Sequence, residues 1–180
     1  MEIEKERLAT AQWILERNLG WIAAADIKVG VLATLNVAMF GGLGAAYVLP
    51  NHGQVGVVTW AALMAASVGL IVSLCFACAV LVPKTKPAAL KADQPASPLS
   101  LVFFKEIAAR RADAYAQALT EKSDSQLLLD WARQIHRNAE IAEIKHGRLR
   151  WAVYATCVAV TPWVAAIILL ALGAGGSATP

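Results

Sequence analysis

Apolar and charged positions fall into long separate blocks along the chain. Residues 29–82 and 151–180 contain no Asp, Glu, Lys or Arg, so all 13 acidic and 16 basic side chains lie in 1–28 or 83–150. Within the uncharged blocks, Val29–Leu49, Val55–Val82 and Trp151–Leu172 are each long enough to cross a hydrocarbon core as a helix, which takes roughly 20 residues. The second run, at 28 residues, exceeds a perpendicular span and predicts tilt or projection beyond the lipid. Pro50-Asn51-His52-Gly53-Gln54 leaves room only for a tight antiparallel turn between the first two spans.

The charged blocks carry helical periodicity of their own. In 1–28, Leu8, Ala11, Ile14, Leu15, Asn18, Leu19, Trp21 and Ile22 recur at three-four spacing, predicting an amphipathic helix that runs on into span 1, with Gly20 as a weak point. Pro83, Pro87, Pro95 and Pro98 forbid a helix after span 2 and mark a linker. The apolar patch Leu99-Ser100-Leu101-Val102-Phe103-Phe104 must be buried, and one helix is expected over Lys105–Leu119. Ser123 with Gln126 forms a capping box, and Leu128, Trp131, Ile135, Ala139 and Ala142 then make an apolar stripe on a helix expected to enter span 3 unbroken. Gly147 is its soft spot, and Pro162 should bend span 3.

Charge then orients the chain. Four basic residues precede span 1, twelve separate spans 2 and 3, and neither the turn nor the C-terminal tail has any, so the positive-inside rule predicts the N-terminus and long loop inside and the C-terminus outside. The first apolar run begins only at residue 29, after a charged amphipathic stretch, which argues against a cleaved leader. With 58% hydrophobic and 16% charged residues, an ordinary soluble domain is excluded. The expected fold is an all-α membrane protein of three transmembrane helices with helical cytoplasmic extensions. Its segments are a cytoplasmic amphipathic helix (1–28), a transmembrane hairpin (29–49 and 55–82), a cytoplasmic linker and helical region (83–150), a third span (151–172) and an external tail (173–180). Small residues such as Gly41, Gly42, Gly44, Ala61, Ala65, Ala66 and Gly69 let helices approach closely in lipid, and three spans are few, so a homo-oligomer is expected.

Little of this chemistry is catalytic. Cys75, Cys78 and Cys157 lie in hydrocarbon, where small apolar filling suits them better than a thiolate or zinc. The histidines lack metal-ligand spacing, and no phosphate loop, nucleophile elbow or acid pair is present, so neither enzyme activity nor a metal is expected. Two clusters stand out. Asp26 and Lys28 sit at the mouth of span 1, either as a snorkelling ion pair or as a partner-binding site, and Asn36, two turns into the apolar run, needs a hydrogen-bond partner. Gln134, Asn138, Ala142 and Lys145 share one helical ridge, which is either a solvated face or an amide-and-cation surface suited to a base edge and a phosphate.

The stretch Trp21-Ile22-Ala23-Ala24-Ala25-Asp26-Ile27-Lys28-Val29-Gly30, the Val102-Phe103-Phe104 patch before a helix bearing Tyr115, and Gln134-Ile135 through Asn138 to Lys145 entering the last span resemble the membrane-spanning effectors of Pycsar antiphage systems. The resemblance covers roughly residues 5–170. It implies a defence effector rather than an enzyme, paired with a pyrimidine nucleotide cyclase, that senses cyclic UMP or cyclic CMP and impairs the inner membrane so that infection aborts. Ligand, lipid bilayer and further copies of the chain are then its partners, with no nucleic acid and no cofactor beyond the ligand. With no separate nucleotide-binding domain, 83–150 becomes the sensing region. A cyclic pyrimidine nucleotide needs a cation, amide partners and an aromatic wall. Arg111, Arg137 and Lys145 are candidates for the phosphate, Gln134 and Asn138 for the base or ribose, and Tyr115 for stacking, while Asp26, Lys28 and Asn36 would couple the sensor to the membrane. The alternative is a constitutive membrane scaffold or small transporter subunit that recruits a cytoplasmic partner.

Overall fold

The computed structural model describes residues 2–48, 55–82 and 100–175. Five helices follow in order: α1 (Glu2–Val48), α2 (Val57–Leu81), α3 (Phe104–Ala108), α4 (Ala112–Glu121) and α5 (Asp124–Gly175), with no strand among the described residues. The fold is all-α. α1, α2 and α5 are long and apolar enough to cross a bilayer, making this a multi-pass membrane protein. The turn at 50–54, the proline linker, Leu99 and the end of the tail lie outside the described residues.

The charged helical stretches that precede spans 1 and 3, residues 2–28 and 124–150, form two stalks, and each is continuous with its span. α1 runs through Gly20, and α5 runs through both Gly147 and Pro162. The start of α5 carries the capping box the sequence encodes: the Ser123 N–H donates to Gln126 Oε1 (3.3 Å) and the Gln126 N–H donates to Ser123 Oγ (3.4 Å). The single helix expected over Lys105–Leu119 is instead two. Ala109 ends α3 and Arg111 takes an extended conformation (φ −71°, ψ 145°) as the N-cap of α4. No proline or glycine marks this break, which accompanies a tertiary hydrogen bond from Tyr115 of α4.

Contacts divide the chain into two units, Met1–Ala24 with Lys84–Ile144 and Ala25–Pro83 with Lys145–Pro180. In the second unit the buried positions repeat at three-four spacing on every helix. They are Ala25, Val29, Asn36, Met39 and Leu43 on α1, Thr59, Leu63, Ala66, Leu70, Ser73, Ala77 and Val80 on α2, and Leu149, Ala152, Thr156, Ala159, Ala166 and Leu170 on α5. This 3.5-residue period is that of knobs-into-holes packing. Gly69 makes the α2–α5 approach possible, since a Cβ there would lie 2.7 Å from Ala159 Cβ. Trp163 Nε1 donates to the Met39 carbonyl (2.9 Å) and its ring lies against Gly42. The outward faces, including Val37, Val58, Val68, Val158 and Ile168, remain apolar and exposed, as lipid-facing surface requires.

The first unit buries Ala11, Leu15 and Asn18 of α1, and Asn18 Nδ2 donates to the Ile135 carbonyl of α5 (3.2 Å). The α5 side of this unit departs from the apolar stripe read in the sequence. Asp130, Gln134 and Ala142 are buried, whereas Ala139 is exposed and Leu128, Trp131 and Ile135 are only half-buried. The apolar patch is likewise split, with Leu101 buried and Phe104 63% exposed. On this side of α5 the buried polar residues face the segment before α3, Asp130 accepting from the Leu101 N–H and Gln134 reaching the Ser100 hydroxyl.

Candidate functional site

A non-helical segment buried in a protein must find partners for its peptide groups. Ser100–Phe103 does so through side chains of three helices. Asp130 on α5 accepts from the Leu101 N–H (2.7 Å), and Tyr115 on α4 donates its hydroxyl to the Leu101 carbonyl (3.1 Å), so both backbone polar groups of this one residue are held by side chains. Ser100 Oγ accepts from the N–H groups of Val102 and Phe103 (both 3.1 Å) and, more weakly, from Gln134 Nε2 (3.4 Å), while the Ser100 N–H donates to the Glu106 carboxylate of α3. Lys122 Nζ lies 3.1 Å from Asp130 Oδ2, balancing a carboxylate whose residue is only 5% exposed.

The accessible edge of this hub is aromatic and cationic. The Arg137 guanidinium lies 4.3 Å from the Phe103 ring centroid, and Phe104 packs edge-on against Phe103 (centroids 5.1 Å) while presenting most of its own surface outward. Asn138, next to Arg137 on α5, is half-buried, and Arg111 is exposed at the start of α4. On α1 a shallow cleft of ≈ 380 Å³ is lined by Trp13, Glu16, Arg17, Gly20 and Trp21.

Of the residues singled out for a ligand, Tyr115, Gln134 and Arg137 converge on Ser100–Phe103, with Tyr115 and Gln134 bonding the segment directly. Lys145 belongs to the second unit, where its Nζ lies 2.5 Å from Asp26 Oδ1. Asp26 therefore pairs across helices rather than with Lys28, which is exposed; residues two apart on a helix do not face each other. Close by in sequence, Arg148 donates to the Ala79 carbonyl in the last turn of α2, a cation on the acceptor end of that helix.

Asn36 finds its partners further into the same unit. Its Nδ2 donates to Ser73 Oγ (2.7 Å), Ser73 Oγ and Thr156 Oγ1 share a hydrogen bond (2.7 Å), and Thr156 Oγ1 donates to Asn36 Oδ1 (3.1 Å). Both hydroxyls also reach the Ala152 carbonyl, at 2.9 and 3.1 Å. Asn36 and Ser73 are 0% exposed and Thr156 is 4% exposed. The result is a closed polar ring with one member from each of α1, α2 and α5. Among the described residues no group of His, Cys, Asp and Glu is placed to hold a metal ion, and the three cysteines are free.

Against known proteins, residues 10–172 match PycTM, the Pycsar effector protein domain. The chain belongs to the Pycsar effector family. The match covers α1 from residue 10 onward, all three spans and the hub. As a Pycsar effector the protein is of an antiphage-defence type whose family signal is a cyclic nucleotide made by a partner cyclase. Searches of curated proteins and of solved structures each returned no match.

Several members of these clusters escape a sequence reading of this Pycsar effector. Asp130, Lys122 and Glu106 look like ordinary polar surface, because the 99–104 patch is legible as apolar but the side chains that satisfy its backbone are assigned only once α3, α4 and α5 flank it. Ser73 and Thr156 carried a usable signal: each falls on the three-four register of its span, at 66, 70, 73, 77 and at 149, 152, 156, 159, where apolar residues otherwise stand. A polar residue in register on each of three spans points to a shared layer.

Proposed function

We propose that this Pycsar effector senses cyclic UMP or cyclic CMP through its first unit and responds by impairing inner-membrane integrity, causing abortive infection. The carrying observation is the domain match over residues 10–172, which spans all three membrane helices as well as the hub. The hub supplies the chemistry such a ligand needs. Phe104 offers an exposed aromatic face, Arg137 and Arg111 offer guanidinium groups for a singly charged phosphate, and Asn138 offers an amide for the base or ribose. In this reading Tyr115 and Gln134 act by holding Ser100–Phe103 in place. Lys145, Asp26, Lys28 and Asn36 belong to the response in the membrane. The N-terminus and the hub lie in the cytoplasm and the C-terminus outside, and the chain works as a homo-oligomer.

Binding drives the response only as far as ligand affinity differs between resting and active states. The spans carry no charged ring, which fits loss of bilayer integrity better than a selective ion filter. Calorimetry of the detergent-solubilised chain against cyclic UMP, cyclic CMP, cyclic AMP and cyclic GMP is the test. One pyrimidine nucleotide should bind, and Arg137→Ala should weaken it about tenfold or more, the scale of a lost charge-assisted contact. Binding of neither pyrimidine nucleotide sinks the proposal. The scaffold alternative draws on a different observation, the outward-facing Trp13 (62% exposed) and Trp21 (52% exposed) on α1, and predicts capture of a protein partner with no nucleotide dependence.

A further inference from the structure

The ring of Asn36, Ser73 and Thr156 is an odd thing to find where it is. Spanning helices satisfy their own backbone, so nothing obliges the seam between them to contain polar side chains. The ring lies between two dry clusters. On one side are Ala25, Val29, Ala77, Val80 and Leu149; on the other are Met39, Leu43, Leu63, Ala66, Leu70, Ala159, Ala166 and Leu170. It sits about 15 Å along α1 from Asp26, about 16 Å along α5 from Lys145 and about 12 Å from the end of α2 at Leu81, at 1.5 Å per residue. That depth is inside the hydrocarbon, beyond reach of the charged end.

We propose that this ring is the hydration gate of the protein: the level at which the closed seam admits water when the three helices separate, and so the site that sets how readily the membrane part becomes permeable. At rest the three side chains can satisfy one another in a cycle, Asn36 to Ser73 to Thr156 and back to the Asn36 carbonyl oxygen, with the Ala152 carbonyl as a further acceptor. Once the helices part, the same groups have no partner in lipid and can be satisfied only by water. An apolar layer at this level would resist wetting in proportion to its area; a polar layer exchanges one set of hydrogen bonds for another at small net cost. α5 is suited to move here. Thr156 bonds back to the carbonyl four residues earlier, a contact that bends helices, and Pro162 has no N–H to give Val158.

The gate rests on the proposed permeabilising function, but the first arm of its test needs no nucleotide. The full chain is reconstituted in liposomes loaded with a small self-quenching dye, and ligand-free release is compared between wild type, Ser73→Ala, Thr156→Val, Thr156→Ser and the triple variant Asn36→Leu/Ser73→Ala/Thr156→Val. Ser73→Ala and Thr156→Val each leave the Asn36 amide short of a partner and should raise leakage about fivefold, the effect of one lost interhelical hydrogen bond on a two-state equilibrium. Thr156→Ser keeps the ring and should leak as wild type does. The triple variant removes every group that recruits water. It should leak no more than wild type, unfold at the same temperature or higher, and lose about tenfold in nucleotide-stimulated release while retaining calorimetric binding. Wild-type leakage from both folded single variants overturns the gate, as does a folded triple variant that releases dye on ligand as wild type does. Failure of wild type to bind either pyrimidine nucleotide defeats the sensing function instead and leaves the ligand-free comparison decisive for the gate. Should Ser73→Ala fail to fold, Thr156→Val carries the same comparison.

Discussion

Each unit of this effector buries polar groups, and the two do so for opposite reasons. In the first, Ser100–Phe103 is not helical, so its N–H and carbonyl groups take Asp130, Tyr115 and Glu106 as partners, and Gln134 reaches the Ser100 hydroxyl. In the second, every spanning segment is helical and its backbone is already satisfied, so Asn36, Ser73 and Thr156 meet no such demand and bond mainly to one another. Obligatory polar burial marks architecture, and optional polar burial points to function. The hub holds a loop in place so that Phe104 and Arg137 can be presented, whereas the ring adds a property that an apolar seam would lack.

The contrast can be broken most forcefully at Asp130. Asp130→Ala removes the acceptor of the Leu101 N–H and strands the half-buried Lys122 ammonium, a loss of about 3 kcal/mol in the first unit. Hydrogen exchange should show amides of 100–122 losing protection while those of α2 keep theirs; equal loss in both units would mean that the hub is not local. Adding Lys122→Met should recover only part of this, because the Leu101 N–H still lacks a partner.

Gly69→Ala probes the second unit at a level where α2 and α5 approach closely. A Cβ 2.7 Å from Ala159 Cβ and 3.3 Å from its backbone Cα should cost about 2 kcal/mol, seen as a lower midpoint in detergent-induced unfolding and relieved by Ala159→Gly. Gly41→Ala is the counterpart: nothing lies within 4 Å of the position, so the single chain should gain about 0.5 kcal/mol from the better helix former. A loss there would show that a second copy packs on this face.

The smallest effect is expected at Lys145. Lys145→Met should cost about 1 kcal/mol or less and lose its effect in high salt, because the side chain of Asp26 is 39% exposed and water can replace its partner. A loss matching that of Asp130→Ala would place the pair in the obligatory class.

Some of this was legible along the chain. Uncharged runs of fixed length dictated three helical spans, because lipid offers a backbone no other partner, and Ser123 with Gln126 announced the start of α5 through a local bond any sequence reading can find. Asn36 was recognisable as needing a partner, and Tyr115, Gln134 and Arg137 were recognisable as candidates, though not for the segment on which they converge. The break between α3 and α4 was hidden, since no residue in 109–111 disfavours a helix as proline or glycine would; the break accompanies the reach of Tyr115 to Leu101. Uncharged length together with helical periodicity thus determined the three spans and the long helices that carry them. Which polar side chains are buried, and against what, was decided only by tertiary packing, because Asp130 and Ser73 acquire their partners from residues 29 and 83 positions away, a separation that no local pattern encodes.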